Sequence, residues 1–182
     1  MPSKKHYIIT SITLGAIAAS SAVLIGVTNL ITKDKIAKNE KDKISLGISK
    51  IFSKNASILD EFAVSVHQYT TYAYEIKNED NGEACALKTT GSNMYGKISL
   101  LVGFTNMVIP GGELKEYVFS GLSIIVNEQT YASTLVEEYI DPLNEGDRDL
   151  MDTSCGATYG AKLVKDMVEE AKTVANELFN KE

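Results

Sequence analysis

At 182 residues the chain is long enough for one domain of ordinary size and an appendage. With 44% hydrophobic and 23% charged residues it is not disordered by composition. A net charge of −6 excludes the broad basic surface that phosphate backbones require, and with it a nucleic-acid partner.

Tyr7–Ile31, YIITSITLGAIAASSAVLIGVTNLI, runs for 25 residues without a charge. A bilayer core is crossed by about 20 apolar residues as a helix. Lys4 and Lys5 precede the run, and Lys33, Asp34 and Lys35 follow it. A cleaved signal peptide, with a small-residue site around Ser20-Ser21-Ala22, is the competing reading. The apolar run continues past that site, which favours a retained anchor in membrane lipid. Basic residues are denser after the span (Lys33, Lys35, Lys38, Lys41, Lys43) than before it, which by charge counting puts the following part in the cytoplasm. A short basic leader before an apolar run is also how a signal anchor exports a chain, so charge alone leaves the side open. A type IV pilin leader is discounted, because no acidic residue occurs before Asp34.

Lys33 to about Phe52 is charged, with apolar residues at Ile36, Ile44, Ile48 and Ile51, and reads as an amphipathic helix. Ser57 to about His67 reads as a second short helix with Ser57 as its N-cap. His67 reads as a surface or packing residue. Thr70–Lys77 alternates and is rich in β-formers, NEDNGE follows as a turn, and Glu83–Thr90 completes a hairpin. Gly91–Gly96 reads as a loop and Lys97–Phe104 as a buried strand. Pro110-Gly111-Gly112 marks a turn, and Leu114–Asn127 supplies one or two strands with Gly121 as a bulge. From Leu163 to Phe179 apolar residues recur at three and four, the single apolar face of a closing helix. Strands in the middle with helices at both ends give an α+β class: an antiparallel sheet flanked by helices and preceded by one transmembrane helix. The expected division is an anchor over 1–32, a helical connector over 33–68 and an α+β domain over 69–182.

Cys85 and Cys155 lie seventy positions apart and form no zinc spacing with His6 or His67, so no metal site is expected. They read as two free thiols filling small volumes, with a disulfide as the alternative. The most distinctive stretch is Asp152-Thr153-Ser154-Cys155-Gly156-Ala157-Thr158, small residues running into a helix. Amides at a helix start lack intrahelical partners and carry the positive end of the macrodipole, so a phosphate at Thr158 would be well placed. Lys162 is one turn on and could partner its charge, while Asp152 could organise the loop by accepting backbone hydrogen bonds. The plainer alternative is a turn that only caps the helix.

The same seven residues resemble the covalent flavin attachment motif of the FMN-binding domain family: an Asp, two variable residues, then Ser-Gly-Ala-Thr. That family includes the G subunit of the Rnf electron-transport complex and the C subunit of the sodium-pumping NADH:quinone reductase. Further resemblance to the G subunit lies in the basic leader and membrane helix, in Leu30–Ala37, and in Tyr95-Gly96-Lys97-Ile98-Ser99-Leu100-Leu101-Val102-Gly103. Gln129-Thr130-Tyr131-Ala132 weakly echoes a flavin-side loop. The chain departs from the pattern in three places. Cys155 replaces the usual serine, Gly160 stands where a serine or threonine is common, and the flavin-side loop lacks its Glu, Pro and glycines.

The resemblance implies a membrane-anchored electron carrier with FMN joined through a phosphoester to Thr158. Ser154, Cys155, Gly156 and Ala157 would form the loop read by a flavin transferase, and Gln129, Thr130 and Tyr131 would contact the flavin ring. It implies a single-pass protein whose soluble domain is extracytoplasmic, partnered by other subunits of a membrane electron-transport complex rather than catalysing a reaction alone. A free-standing flavin carrier, or a non-redox binding module whose patch is only a cap, are the alternatives. No glycine-rich dinucleotide loop follows a strand, so a hydride-donor site is not expected.

Overall fold

In a computed structural model of the chain, residues 4–78, 82–108 and 115–180 are described. The chain divides into two compact units, Met1–Asp42 and Lys43–Glu182. Helix α1, Lys4–Ile51, supplies the described part of the first and enters the second.

Within the first unit, α1 carries a stretch long and apolar enough to cross a membrane, with its large side chains exposed. Four of its hydroxyls are satisfied along the helix itself. Thr13 donates to the Ile9 carbonyl (2.9 Å), Ser20 to Ala16 (2.8 Å), Ser21 to Ile17 (2.9 Å) and Thr32 to Thr28 (2.6 Å). Such back-bonding removes the cost of bringing a hydroxyl into hydrocarbon. Ile36, expected on a buried face, is 59% exposed.

The second unit is built on one antiparallel sheet in the order β1-β2-β3-β4-β5. Its strands are β1 Ser57–Ala63, β2 Thr70–Asn78, β3 Gly82–Asn93, β4 Gly96–Val108 and β5 Lys115–Asn127. Alternation sorts their side chains. Cys85, Leu87, Leu100, Val102 and Phe104 face one core, while Ala84, Ala86, Leu101, Tyr74 and Ile76 face another. The first core is covered by α4, Thr158–Phe179, whose Val164, Met167, Ala171 and Val174 are fully buried. The second is covered by the last turns of α1, through Ile44 and Ile48, where Lys43 also donates to the Ile125 carbonyl at 2.8 Å. These turns lie close to the sheet: a Cβ on Gly103 would stand 2.4 Å from Ile51 and 2.9 Å from Phe52. The α+β class and the hairpin of β2 and β3 are as expected. The NEDNGE turn (in part) and the Pro110–Gly112 turn lie outside the described residues.

Two expectations are corrected. Ser57–His67 is not a helix, because Ser57–Ala63 is strand β1, paired with β2. All seven residues are exposed, so no alternation marked them. Pairing with the open edge of β2 outweighs a weak local preference, as it does for many edge strands. Gly91–Gly96 is not a loop either. β3 continues to Asn93, which pairs with Gly96, leaving Met94 and Tyr95 as a two-residue turn. The Gly121 bulge is present: Phe104 pairs with Phe119 and Gly103 with Gly121, so Ser120 is the extra residue. Gly121 has φ +146°, a conformation that favours glycine.

Between β5 and α4 lies a segment the hydrophobic pattern did not reveal. It consists of α2 (Ala132–Leu135), a π-helical turn (Val136–Ile140) and α3 (Asp141–Glu145). Leu135, Tyr139, Ile140 and Leu143 bury it against the α4 face of the sheet. Both cysteines are free, Cys85 buried and Cys155 half-buried. Burial pushes the Cys85 thiol far up, so it is inert at neutral pH. His67 is a surface residue whose Nε2 lies 3.4 Å from Glu177.

Candidate functional site

The start of α4 opens onto a cleft of about 250 Å³ lined by Tyr95, Gln129, Tyr131, Leu135 and the run Gly156–Gly160. Three chain segments meet there. The β3–β4 turn brings Tyr95, the end of β5 brings Gln129 and Tyr131, and the α4 start brings Thr158 and Tyr159. The Tyr95 ring lies 5.8 Å from Tyr131 and 5.5 Å from Tyr159, centroid to centroid. Three tyrosines thus form a near-continuous aromatic wall, with Tyr131 and Tyr159 more than half exposed.

Hydrogen bonds fix this convergence. The Thr130 amide and hydroxyl both donate to the Tyr95 carbonyl, at 2.8 and 3.0 Å. The buried Gln129 side chain donates to the Gly96 carbonyl. Asn93 donates to the Tyr159 carbonyl at 3.1 Å and accepts from the Tyr95 amide at 2.9 Å. Gly96 allows the approach, having φ +131° and no room for a Cβ against the Glu128 carbonyl.

Thr158 is the first residue of α4, and its hydroxyl donates to the Cys155 carbonyl at 2.6 Å. Ala157, the cap residue, makes no side-chain capping bond. The N-cap side chain therefore satisfies none of the opening amides of the helix. The preceding loop is held from below. Asp152 Oδ1 accepts the Ser154 amide at 3.1 Å, and Glu138 Oε2 accepts the Gly156 amide at 2.7 Å. The bond from Ser154 is the main reason the Asp152 carboxyl sits below its ordinary range. Small residues here serve packing. A Cβ on Gly156 would stand 2.9 Å from Thr134, and one on Gly160 would stand 3.0 Å from Leu135.

Of the residues singled out in the sequence, Gln129, Tyr131, Gly156, Ala157 and Thr158 line the cleft. Thr130, Asp152, Ser154 and Cys155 support it from behind through backbone and loop contacts. Lys162 is exposed, with Nζ 6.0 Å above the Tyr159 ring. Sequence reasoning missed Tyr95, Tyr159, Glu138 and Arg148. An aromatic at the tip of the Gly91–Gly96 stretch, and another directly after Thr158, were the available signals.

The cleft offers surfaces for a planar group beside the Thr158 hydroxyl. One end offers a hydroxyl at a helix start, the wall is aromatic, and the buried Gln129 adds a polar group. Its volume lies just below the range usual for small-molecule sites. Among the described residues no cluster of His, Cys, Asp and Glu could hold a metal ion. No curated protein matches the chain. Residues 1–45 match the family model described as the RnfG N-terminal region, so the chain is similar to the RnfG subunit there.

Proposed function

We propose that the chain is a membrane-anchored flavoprotein electron carrier, holding FMN as a phosphoester on Thr158 and working as the G-type subunit of an Rnf-like complex. The observation that carries this reading is the Thr158 hydroxyl, set at a helix start in the wall of a three-tyrosine cleft. The RnfG match over residues 1–45 supports the G-subunit part of this reading.

When bound, FMN passes one or two electrons, and the protein sets its position and surroundings. Thr158 holds the phosphate covalently. The amides opening α4 and the helix dipole would favour the charge of a phosphate held there. Lys162, on a flexible stem one turn on, adds positive potential there. Tyr95, Tyr131 and Tyr159 offer faces for a flavin ring. Gln129 and Thr130 hold the Tyr95 turn against the end of β5, which keeps the wall assembled. Asp152, Ser154, Cys155, Gly156 and Ala157 form the loop presented to a flavin transferase. The apolar stretch of α1 anchors the chain in lipid. By the same resemblance the second unit lies on the extracytoplasmic face, where a covalent link prevents loss of the cofactor. Electrons are supplied and taken by other subunits.

The test is flavin that survives denaturation. Full-length chain from cells with an active flavin transferase is denatured, and its flavin fluorescence is read in the gel. The wild type and Thr158→Ser should fluoresce and Thr158→Ala should be dark. A dark wild type beside a bright control substrate overturns the reading.

A further inference from the structure

We infer that Arg148 is the positioning residue for the modification of Thr158, an inference that rests on the function proposed above. Arg148 is the chain's single arginine, and its side chain is mostly buried. It holds three acceptors on two segments. One guanidinium nitrogen donates to the Glu138 carbonyl in the π-helical turn. The second terminal nitrogen donates to the Ser154 carbonyl at 2.9 Å and to Asp152 Oδ2 at 3.4 Å. The guanidinium carbon lies 5.8 Å from the centroid of the Tyr139 ring, whose hydroxyl is anchored on the Leu150 carbonyl at 2.6 Å.

These contacts converge on the loop that presents Thr158. Residues 152–157 belong to no helix or strand, so side chains decide where their carbonyls point. Arg148 fixes the Ser154 carbonyl, and the next carbonyl along, that of Cys155, accepts the Thr158 hydroxyl. Glu138, whose carbonyl Arg148 also holds, fixes the Gly156 amide through its carboxylate. The Thr158 proton is thereby pointed back at the loop, and the oxygen lone pairs are left for an incoming phosphorus. In the attachment, Thr158 Oγ1 gains a bond to the flavin-side phosphorus of a flavin dinucleotide. The pyrophosphate bond breaks, the adenosine monophosphate leaves with the bonding electrons, and the hydroxyl proton passes to base. Arg148 touches no reacting atom, so its effect is on geometry. Only a planar fork serves acceptors in these directions, and lysine cannot replace it.

The test uses full-length chain in detergent, a flavin transferase, flavin dinucleotide and Mg²⁺, with incorporation followed by intact mass. Wild type, Arg148→Lys and Arg148→Ala are compared, and thermal melting is recorded alongside. The expected result is a rate lowered ten- to a hundredfold in both variants, the range a misplaced reacting group produces. The fraction finally modified should stay near that of wild type, and methylguanidinium should restore part of the Arg148→Ala rate. A residue that only held the fold together would give the opposite pattern: a smaller modified fraction, tracking the melting curve, at an unchanged rate. That pattern overturns the inference, as do wild-type rates in both variants. If wild type itself takes no flavin while a control substrate does, the proposed function fails and this inference falls with it.

Discussion

The Thr158 hydroxyl donates to the backbone carbonyl of Cys155, 2.6 Å away. The contact uses the main chain, so it does not depend on which side chain stands at position 155. The half-buried thiol instead packs against the core beneath α4. Replacing serine by cysteine in the motif therefore leaves the orientation of Thr158 intact. Cys155→Ser is expected to take up flavin at a rate within about twofold of wild type, and mass spectrometry over a time course checks this. A large gain in rate would mean that the side chain, not the carbonyl, matters.

Gly160 stands where the attachment motif this stretch resembles commonly has a hydroxyl residue, and the packing accounts for the glycine. A Cβ there would lie 3.0 and 3.3 Å from the two methyl carbons of Leu135, which is fully buried. Gly160→Ser should destabilise the second unit by about 1 kcal/mol. Overpacking costs about 1–3 kcal/mol, and relief from glycine in a helix returns about 0.5 kcal/mol. Pairing it with Leu135→Ala should show non-additivity in denaturant unfolding, because the two sites touch.

Glu170 on α4 fastens the start of β2. Its carboxylate accepts the amides of Gln68 (2.9 Å), Tyr69 (2.7 Å) and Thr70 (2.7 Å), and the Thr70 hydroxyl (3.0 Å). Burial pushes its pKa up, but the bonds from Tyr69, Thr70 and Gln68 together outweigh burial and hold it below the ordinary 4.5. A carboxyl depressed in the folded state contributes stability above its unfolded pKa, and the contribution is lost as pH falls through the folded value. Glu170→Gln should therefore cost about 1 kcal/mol at neutral pH, allowing for solvent screening. Below pH 4.5 the gap from wild type should narrow. Melting temperatures across that range decide it; a constant gap would contradict the assignment.

Gly103 sits where β4 meets the end of α1. A methyl group there would collide with Ile51 at 2.4 Å and Phe52 at 2.9 Å. Gly103→Ala is expected to cost about 1–3 kcal/mol in unfolding free energy. Flavin attachment to the folded fraction should be unchanged, since Gly103 is not among the residues lining the cleft.

The parts of the fold with strong patterning were legible in the sequence. α4 shows an uninterrupted apolar face, and β2 to β5 carry β-forming residues between turn signals. β1 was misread because every residue of Ser57–Ala63 is exposed, so its pairing with β2 leaves no trace in the pattern. The segment from Ala132 to Glu145 packs through a few side chains on short turns, too few to show a period. At the site, Thr158 and its loop were legible by resemblance, and Gln129 and Tyr131 by a weak echo. Tyr95 was not, because only the two-residue turn between β3 and β4 carries it to the cleft. Arg148 was not, because its partners are two carbonyls and a side chain that only the folded loop brings together.

The most direct measurement is the intact mass of full-length wild type and Thr158→Ala, each purified after co-expression with a flavin transferase shown to modify a control substrate. Wild type should gain the mass of one FMN less one water, and Thr158→Ala should gain nothing. An unmodified wild type, or equal flavin on the alanine variant, would contradict attachment at Thr158.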